Sequence, residues 1–144
     1  VIKMSILNIS LFSLFMAQFM KIFTERPFDF RRIVGSGGMP SSHASFVSTL
    51  STMVALKYGF DSDLFAIVTV FSLIIIYDAS GVRRSVGKQA NVLNHLIKNL
   101  DIEHINKKPN KIKADLKELV GHTPFEVLAG AGLGIIIALT YYYL

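Results

Sequence analysis

Residues 37–56 read GGMPSSHASFVSTLSTMVAL: two glycines, a Pro-Ser-Ser-His tetrad, then an apolar run from Ala44 to Leu56 that stops at Lys57. The length of that run decides the fold. A helix needs ~20 residues to cross a bilayer, and Ala44–Leu56 is well short of that. To span, it must draw Met39–His43 in with it, which places His43 below the membrane surface. Three other apolar segments frame it. The first, Met4–Met20, is uncharged between Lys3 and Lys21; the third, Leu64–Tyr77, lies between Asp63 and Asp78; the fourth, Val127–Leu144, follows Glu126. The first and fourth approach spanning length. The third must also borrow, taking in Asp78–Ser80. His43, Asp78 and Glu126 are therefore expected within the depth of the membrane, where ionisable residues mark function by default.

Composition agrees with lipid as the solvent. Of 144 residues, 51% are hydrophobic and only 17% charged, below the usual share for soluble domains. The absence of Cys rules out a disulfide, a thiolate nucleophile and a Cys-ligated metal. The net charge of +5 suits nucleic acid, anionic lipid or a phosphate substrate. Nucleic acid is set aside, because no soluble basic domain is left outside the apolar segments. The first segment has a thin basic start at Lys3 and no clear small-residue cleavage site, so it reads as a retained anchor. Asn8-Ile9-Ser10 lies inside that run and is a chance sequon.

The connections refine the picture. Glu25 to Met39 is a polar loop with Pro27, Gly35, Gly37 and Gly38; Tyr58–Asp63 is a short turn around Gly59; Gly81–Gly87 is a connection carrying Arg83 and Arg84. Beyond it Val86, Ala90, Leu93, Ile97 and Leu100 form one helical stripe, with Lys88, Asn91, Asn94 and Lys98 off it. That pattern predicts an amphipathic helix in the membrane interface. Asp101 to Leu116 is a charged connector with Pro109. The expectation is one all-α domain over residues 1–144. It is an integral membrane helical bundle of about four embedded helices with one or two interfacial ones.

Three clusters carry chemistry. In Gly37-Gly38-Met39-Pro40-Ser41-Ser42-His43, Pro and Ser open a helix, with Pro suited to the first turn and Ser to the cap. A helix N-terminus after glycines binds anions through its N–H groups. His43 on the same turn can protonate a leaving oxygen. An ordinary capped turn is the plainer reading. In Gly121-His122-Thr123-Pro124-Phe125-Glu126, His122 and Glu126 share a helix face, so the carboxylate can hold one ring tautomer. Gly130 and Gly134 continue the stripe, permitting close helix contact in lipid, either within the chain or with a second copy. The plainer reading is a packing stripe ending in a His–Glu bond. In Tyr77-Asp78-Ala79-Ser80-Gly81-Val82-Arg83-Arg84, an Asp at the membrane edge followed by two Arg suggests a clamp for phosphate oxygens. Positive-inside residues meeting headgroups are the alternative. Lys21 and Arg26 end the first helix on the same side, where snorkelling to the interface is the simpler account of Arg26.

At these residues the chain resembles a known superfamily, the type-2 phosphatidic acid phosphatases and vanadium haloperoxidases. Pro40-Ser41-Ser42-His43 is similar to its Pro-Ser-Gly-His motif, His122-x3-Glu126 to its His-x3-Asp motif, and Lys21 with Arg26-Pro27 to its Lys…Arg-Pro motif. The likeness is closer to a small divergent membrane branch. It extends to Tyr-Asp-Ala-x-Gly-Val-Arg-Arg, to Gly-x-Gln-Ala-x-x-Leu-Asn from Gly87 to Asn94, and to Glu-Leu-x-Gly-His-Thr-Pro. The resemblance implies metal-free, cofactor-free, two-step phosphoryl transfer. His122 would be the nucleophile, Glu126 its orienter, and His43 the general acid and then the base. Ser41, Ser42, Lys21 and Arg83 or Arg84 would hold phosphate oxygens, with Asp78, Arg26, Lys88 and Asn94 in support.

The departures are specific. Ser42 stands where the superfamily has Gly, and Glu126 where it has Asp. Leu116 occupies the third-motif Arg position, leaving Arg83 or Arg84 to substitute. The superfamily's Lys spacing falls on Phe19, two residues before Lys21. The expected function is a lipid-phosphate phosphatase. A binding or translocation protein that keeps the anion site without turnover is the alternative. A metal hydrolase using His43, His122, Asp78 and Glu126 is disfavoured, because His-x3-Glu is not a zinc-protease spacing. If all four segments span, 13 of the 15 Lys and Arg lie at the motif end, and only Lys3 and Lys57 across the membrane. Short loops rich in Lys and Arg stay in the cytoplasm, so the site is expected to face the cytoplasm of a bacterial-type cell.

Overall fold

The computed structural model describes residues 4–24, 38–99 and 121–144. All the regular structure among them is helical: α1 Ile6–Thr24, α2 Ser42–Tyr58, α3 Asp63–Ser80, α4 Val82–Asn99 and α5 Pro124–Tyr143. Local chemistry sets the starts. Ser41 Oγ accepts from the Ala44 N–H, Ser62 Oγ from Phe65 and Thr123 Oγ1 from Glu126, each satisfying a donor that the first helical turn leaves free. Ser41 being the cap corrects the expectation for Pro40, which precedes the cap and lies outside the first turn. At the far end, Gly59 takes φ 92° and its N–H closes onto Ala55 O, turning the chain from α2 into α3.

α2 and α5 run parallel, and α1 and α3 run against them. At one end Ser41 N–H donates to Glu126 O at 3.0 Å. At the other, Met4 N–H donates to the Tyr141 hydroxyl at 2.7 Å, and Ile9, Met53 and Ala138 cluster. α2 is the innermost helix, packed against α1, α3 and α5. Three stripes at four-residue steps meet there: Ile9, Ser13, Ala17 and Lys21 on α1; Ser41, Ser45, Thr49 and Met53 along α2; Gly130, Gly134 and Ala138 on α5, all buried. A methyl group on Gly130 would overlap the Ser41 carbonyl oxygen, and one on Gly134 the Ser45 carbonyl oxygen. Of the two partners left open for the glycine face, α2 of the same chain is the one that packs against Gly130 and Gly134.

The outer surface is apolar, with Phe15, Phe71, Leu128 and Ile136 all more than 60% exposed, as lipid requires. Helix α1, the stretch Asp63–Leu96 and α5 are long and apolar enough to cross a membrane. α2 is not one of these. Its 17 residues span about 25 Å, and its serines suit it to a position walled in by other helices. The protein is an all-α membrane bundle.

α4 differs from expectation in two ways. It begins at Val82, so Arg83 and Arg84 stand in its first turn and not in a loop. Its buried face is Gly87, Ala90 and Asn94, while Val86 and Leu93 are each 48% exposed. Ala90 alone of the described apolar stripe faces inward, and polar Asn94 joins it. The side chain of Ile97 and all of Leu100 fall outside the described residues.

Candidate functional site

Each of the three inner stripes ends in a polar group at the same end of the bundle: Lys21 on α1, Ser41 before α2, and Glu126 on α5 with His122 just before that helix. Backbone hydrogen bonds tie those ends together. Ser41 N–H donates to Glu126 O, and His122 N–H donates to Ala79 O at 2.9 Å, joining the start of α5 to the end of α3. Gly121 adds the fourth element. It has φ 96°, and a methyl group there would collide with the backbone of Arg83 and Arg84. Only glycine suits both that conformation and that contact, so Gly121 lies directly on the first turn of α4.

His122 is 5% exposed. Its Nδ1 lies 3.1 Å from Glu126 Oε2, and the same oxygen accepts the Thr123 N–H at 3.0 Å. With the Thr123 hydroxyl accepting from Glu126 N–H, this is a capping box. The Thr123-x-x-Glu126 spacing is the sequence signal of that box. It gives a physical reason for Glu where the superfamily has Asp: one longer carboxylate both caps α5 and holds the imidazole. Burial pushes the His122 pKa below its ordinary value, and the nearby Lys21 charge adds to this. Glu126 and the Gly38 backbone pull the other way.

His43 is exposed while its neighbours Ser42 and Ala44 are buried. Arg83, His122, Lys21 and Asp78 all lie close enough to act on its charge. Lys21 is 5% exposed, which removes snorkelling as its explanation. Arg83 Nε donates to Asp78 Oδ2 at 2.6 Å. Ser41 Oγ spends one lone pair on the Ala44 N–H at 3.4 Å, keeping its own O–H as a donor. The structure thus gathers His122, Glu126, His43, Lys21, Ser41, Ser42, Asp78 and Arg83. Arg83 and Arg84 are both exposed, but Arg83 bonds Asp78 and acts on the charge of His43, whereas Arg84 is not among the charges acting on His43 or His122. Lys88 is likewise exposed on α4 and absent from those influences. Asn94 is buried two turns beyond it. Arg26 and Leu116 lie outside the described residues. Among the described residues no group of three or more His, Asp or Glu is placed to hold a metal ion.

The electrostatics favour an anion. The N-termini of α2, α4 and α5 converge here, and each brings the positive end of a helix dipole. Lys21 and Arg83 add full charges. A tetrahedral oxyanion between His43 and His122 would meet donors from several directions.

A family model described as the Divergent PAP2 family matches residues 2–137. The uncharacterized membrane protein YuiD of Bacillus subtilis (strain 168) is 40% identical over 145 residues, an alignment covering 93% of this chain and 91% of that protein. No solved structure matches.

Proposed function

Because this chain belongs to the Divergent PAP2 family, we propose that it is a lipid-phosphate phosphatase acting through a phosphohistidine. The observation that carries this reading is the buried His122 held by the half-buried Glu126, set beside His43, Lys21 and Arg83 at three converging helix starts. In the first step a neutral ring nitrogen of His122 attacks phosphorus. An N–P bond forms, the P–O bond to the lipid alcohol breaks, and His43 delivers a proton to the departing oxygen. In the second step His43 takes a proton from water as its oxygen attacks phosphorus. The N–P bond breaks, inorganic phosphate leaves and His122 is restored.

Phosphoryl transfer chiefly needs in-line positioning and positive charge around the equatorial oxygens. Lys21, Arg83, Ser41 and Ser42 supply that charge and those donors. The substrate class is a phosphomonoester or diphosphate on a membrane-dissolved alcohol. Purified protein should release phosphate from a panel of lipid phosphates, and orthovanadate should inhibit competitively as a mimic of the five-coordinate transition state. Release on no substrate would sink the phosphatase reading. It would favour a protein that binds lipid phosphate without turnover, a reading to which Leu116 at the third-motif Arg position lends support.

The charge asymmetry supports a site facing the cytoplasm. With no native Cys, Lys108→Cys should resist an impermeant maleimide in intact cells while Leu144→Cys reacts. The reverse pattern turns the site outward.

A further inference from the structure

Asp78 and Arg83 are drawn together across the bend between α3 and α4. Asp78 lies in the last turn of α3, Arg83 in the first turn of α4, and Gly81 between them caps α3 with its N–H on Tyr77 O. Their side chains are 37% and 48% exposed. An exposed ion pair contributes little to stability, so fold stability gives little reason for an Asp here. The geometry of the bond is more informative. It is made by Nε, on the inner edge of the guanidinium, at 2.6 Å. That bond orients the plane without itself occupying the forked Nη end, the end that grips two oxygens of a phosphate at once. Arg83 is also held from below, because Gly121 packs on its backbone. Main chain and side chain are therefore both placed by neighbours, and both Arg83 and Asp78 act on the charge of His43.

We propose that Asp78 is a positioning residue: it holds Arg83 by Nε so that the Nη edge meets the phosphate between His43 and His122. The role rests on the phosphate-site reading above. A guanidinium orientated in advance strengthens its grip as charge redistributes in the transition state, so its loss acts mainly on kcat and less on KM. Asp78 also offsets part of the positive charge of Lys21 and Arg83.

The test uses the full chain in lipid nanodiscs, with Asp78→Asn, Asp78→Glu, Arg83→Ala and the Asp78→Asn/Arg83→Ala pair. Phosphate release from a long-chain phosphatidate is followed alongside binding of inorganic phosphate by phosphorus NMR. Asp78→Asn should lower kcat roughly tenfold, the size expected for one charge-assisted contact, and change KM less than about threefold. Asp78→Glu should recover part of the rate. In the Arg83→Ala background, Asp78→Asn should cost less than about twofold, because the group it positions is gone. An equal tenfold loss in both backgrounds, or no loss in either, overturns the proposal. If the wild type binds phosphate but releases none from any lipid, the phosphatase reading fails alone. Weaker phosphate binding in Asp78→Asn, seen only when Arg83 is present, then still supports the positioning role, and unchanged binding overturns it. A wild type that binds no phosphate overturns both.

Discussion

α2 and α3 are hairpin partners of nearly equal length, 17 and 18 residues, built in opposite ways. α2 is rich in Ser and Thr and buries nine residues, Ser42, Ser45, Ser48 and Thr49 among them. α3 is almost wholly Leu, Ile, Val and Phe along its middle, yet it buries only Ser72 and Ala79. In water the order would be reversed. In lipid, apolar surface gains nothing from being inside, whereas an unpaired hydroxyl in hydrocarbon is costly. The hydroxyls therefore turn inward and bond to one another or to backbone: Ser13 with Ser45, Ser51 with Ser72, and Thr49 to Ser45 O and Gly134 O. Small polar residues also let helices approach closely. α2 thus becomes the axis of the bundle, and its head becomes the floor of the site.

The largest expected effect lies at that head. His122→Ala should cut phosphate release by about a thousandfold or more while the protein keeps its elution profile in detergent. Retained turnover would remove His122 from the mechanism. Next comes the α2–α5 seam. Gly134→Leu must displace the Ser45 carbonyl and should cost about 3 kcal/mol or more in thermal unfolding. An unchanged melting point would mean that the seam is looser than described. Thr49→Val keeps the shape and removes the hydroxyl that donates to the Ser45 and Gly134 carbonyl oxygens, so it should cost roughly 1 kcal/mol.

The acidity of the site gives a further check. Burial lowers the His122 pKa, so the neutral, nucleophilic ring persists below the ordinary value of 6.5, and the acid limb of the rate profile should fall below that pH. The sign for stability follows. The unfolded chain takes up the proton near 6.5 and the folded one only lower. The His122 contribution is therefore complete above 6.5 and is lost as pH falls from there through the folded pKa. Glu126→Gln removes a raising influence, and the ring should then titrate lower still by NMR. A midpoint above 6.5 would contradict the burial argument. The smallest effect belongs to α3: Ile74→Ala, at a position 57% exposed, should stay within about 0.5 kcal/mol. A loss as large as that of Thr49→Val would erase the contrast between the two helices.

Much of this was legible in residue order. Segment length set His43 and Asp78 at the ends of their apolar segments, and in the structure they stand in the first turn of α2 and the last turn of α3. The four-residue spacing of Glu126, Gly130 and Gly134 predicted a shared face, since helical periodicity is local, whereas His122 lies before the Thr123 cap, outside α5, and meets Glu126 beside the capping box and not along a helix face. The charges of Lys21 and Arg83 were visible as cations near one end of their segments. What residue order left open was which groups meet. It could not separate Arg83 from Arg84, because adjacent residues on a helix start differ only in direction, and direction depends on what the backbone rests against. Here that is Gly121, 37 positions from Arg84. Nor could it tell whether the glycine stripe met a second copy or α2, since a face lacking Cβ atoms accepts any close helix. The tertiary structure set Arg83 on Asp78 and brought α2 onto the glycine stripe, where carbonyl oxygens of Ser41 and Ser45 occupy the space that side chains at Gly130 and Gly134 would fill.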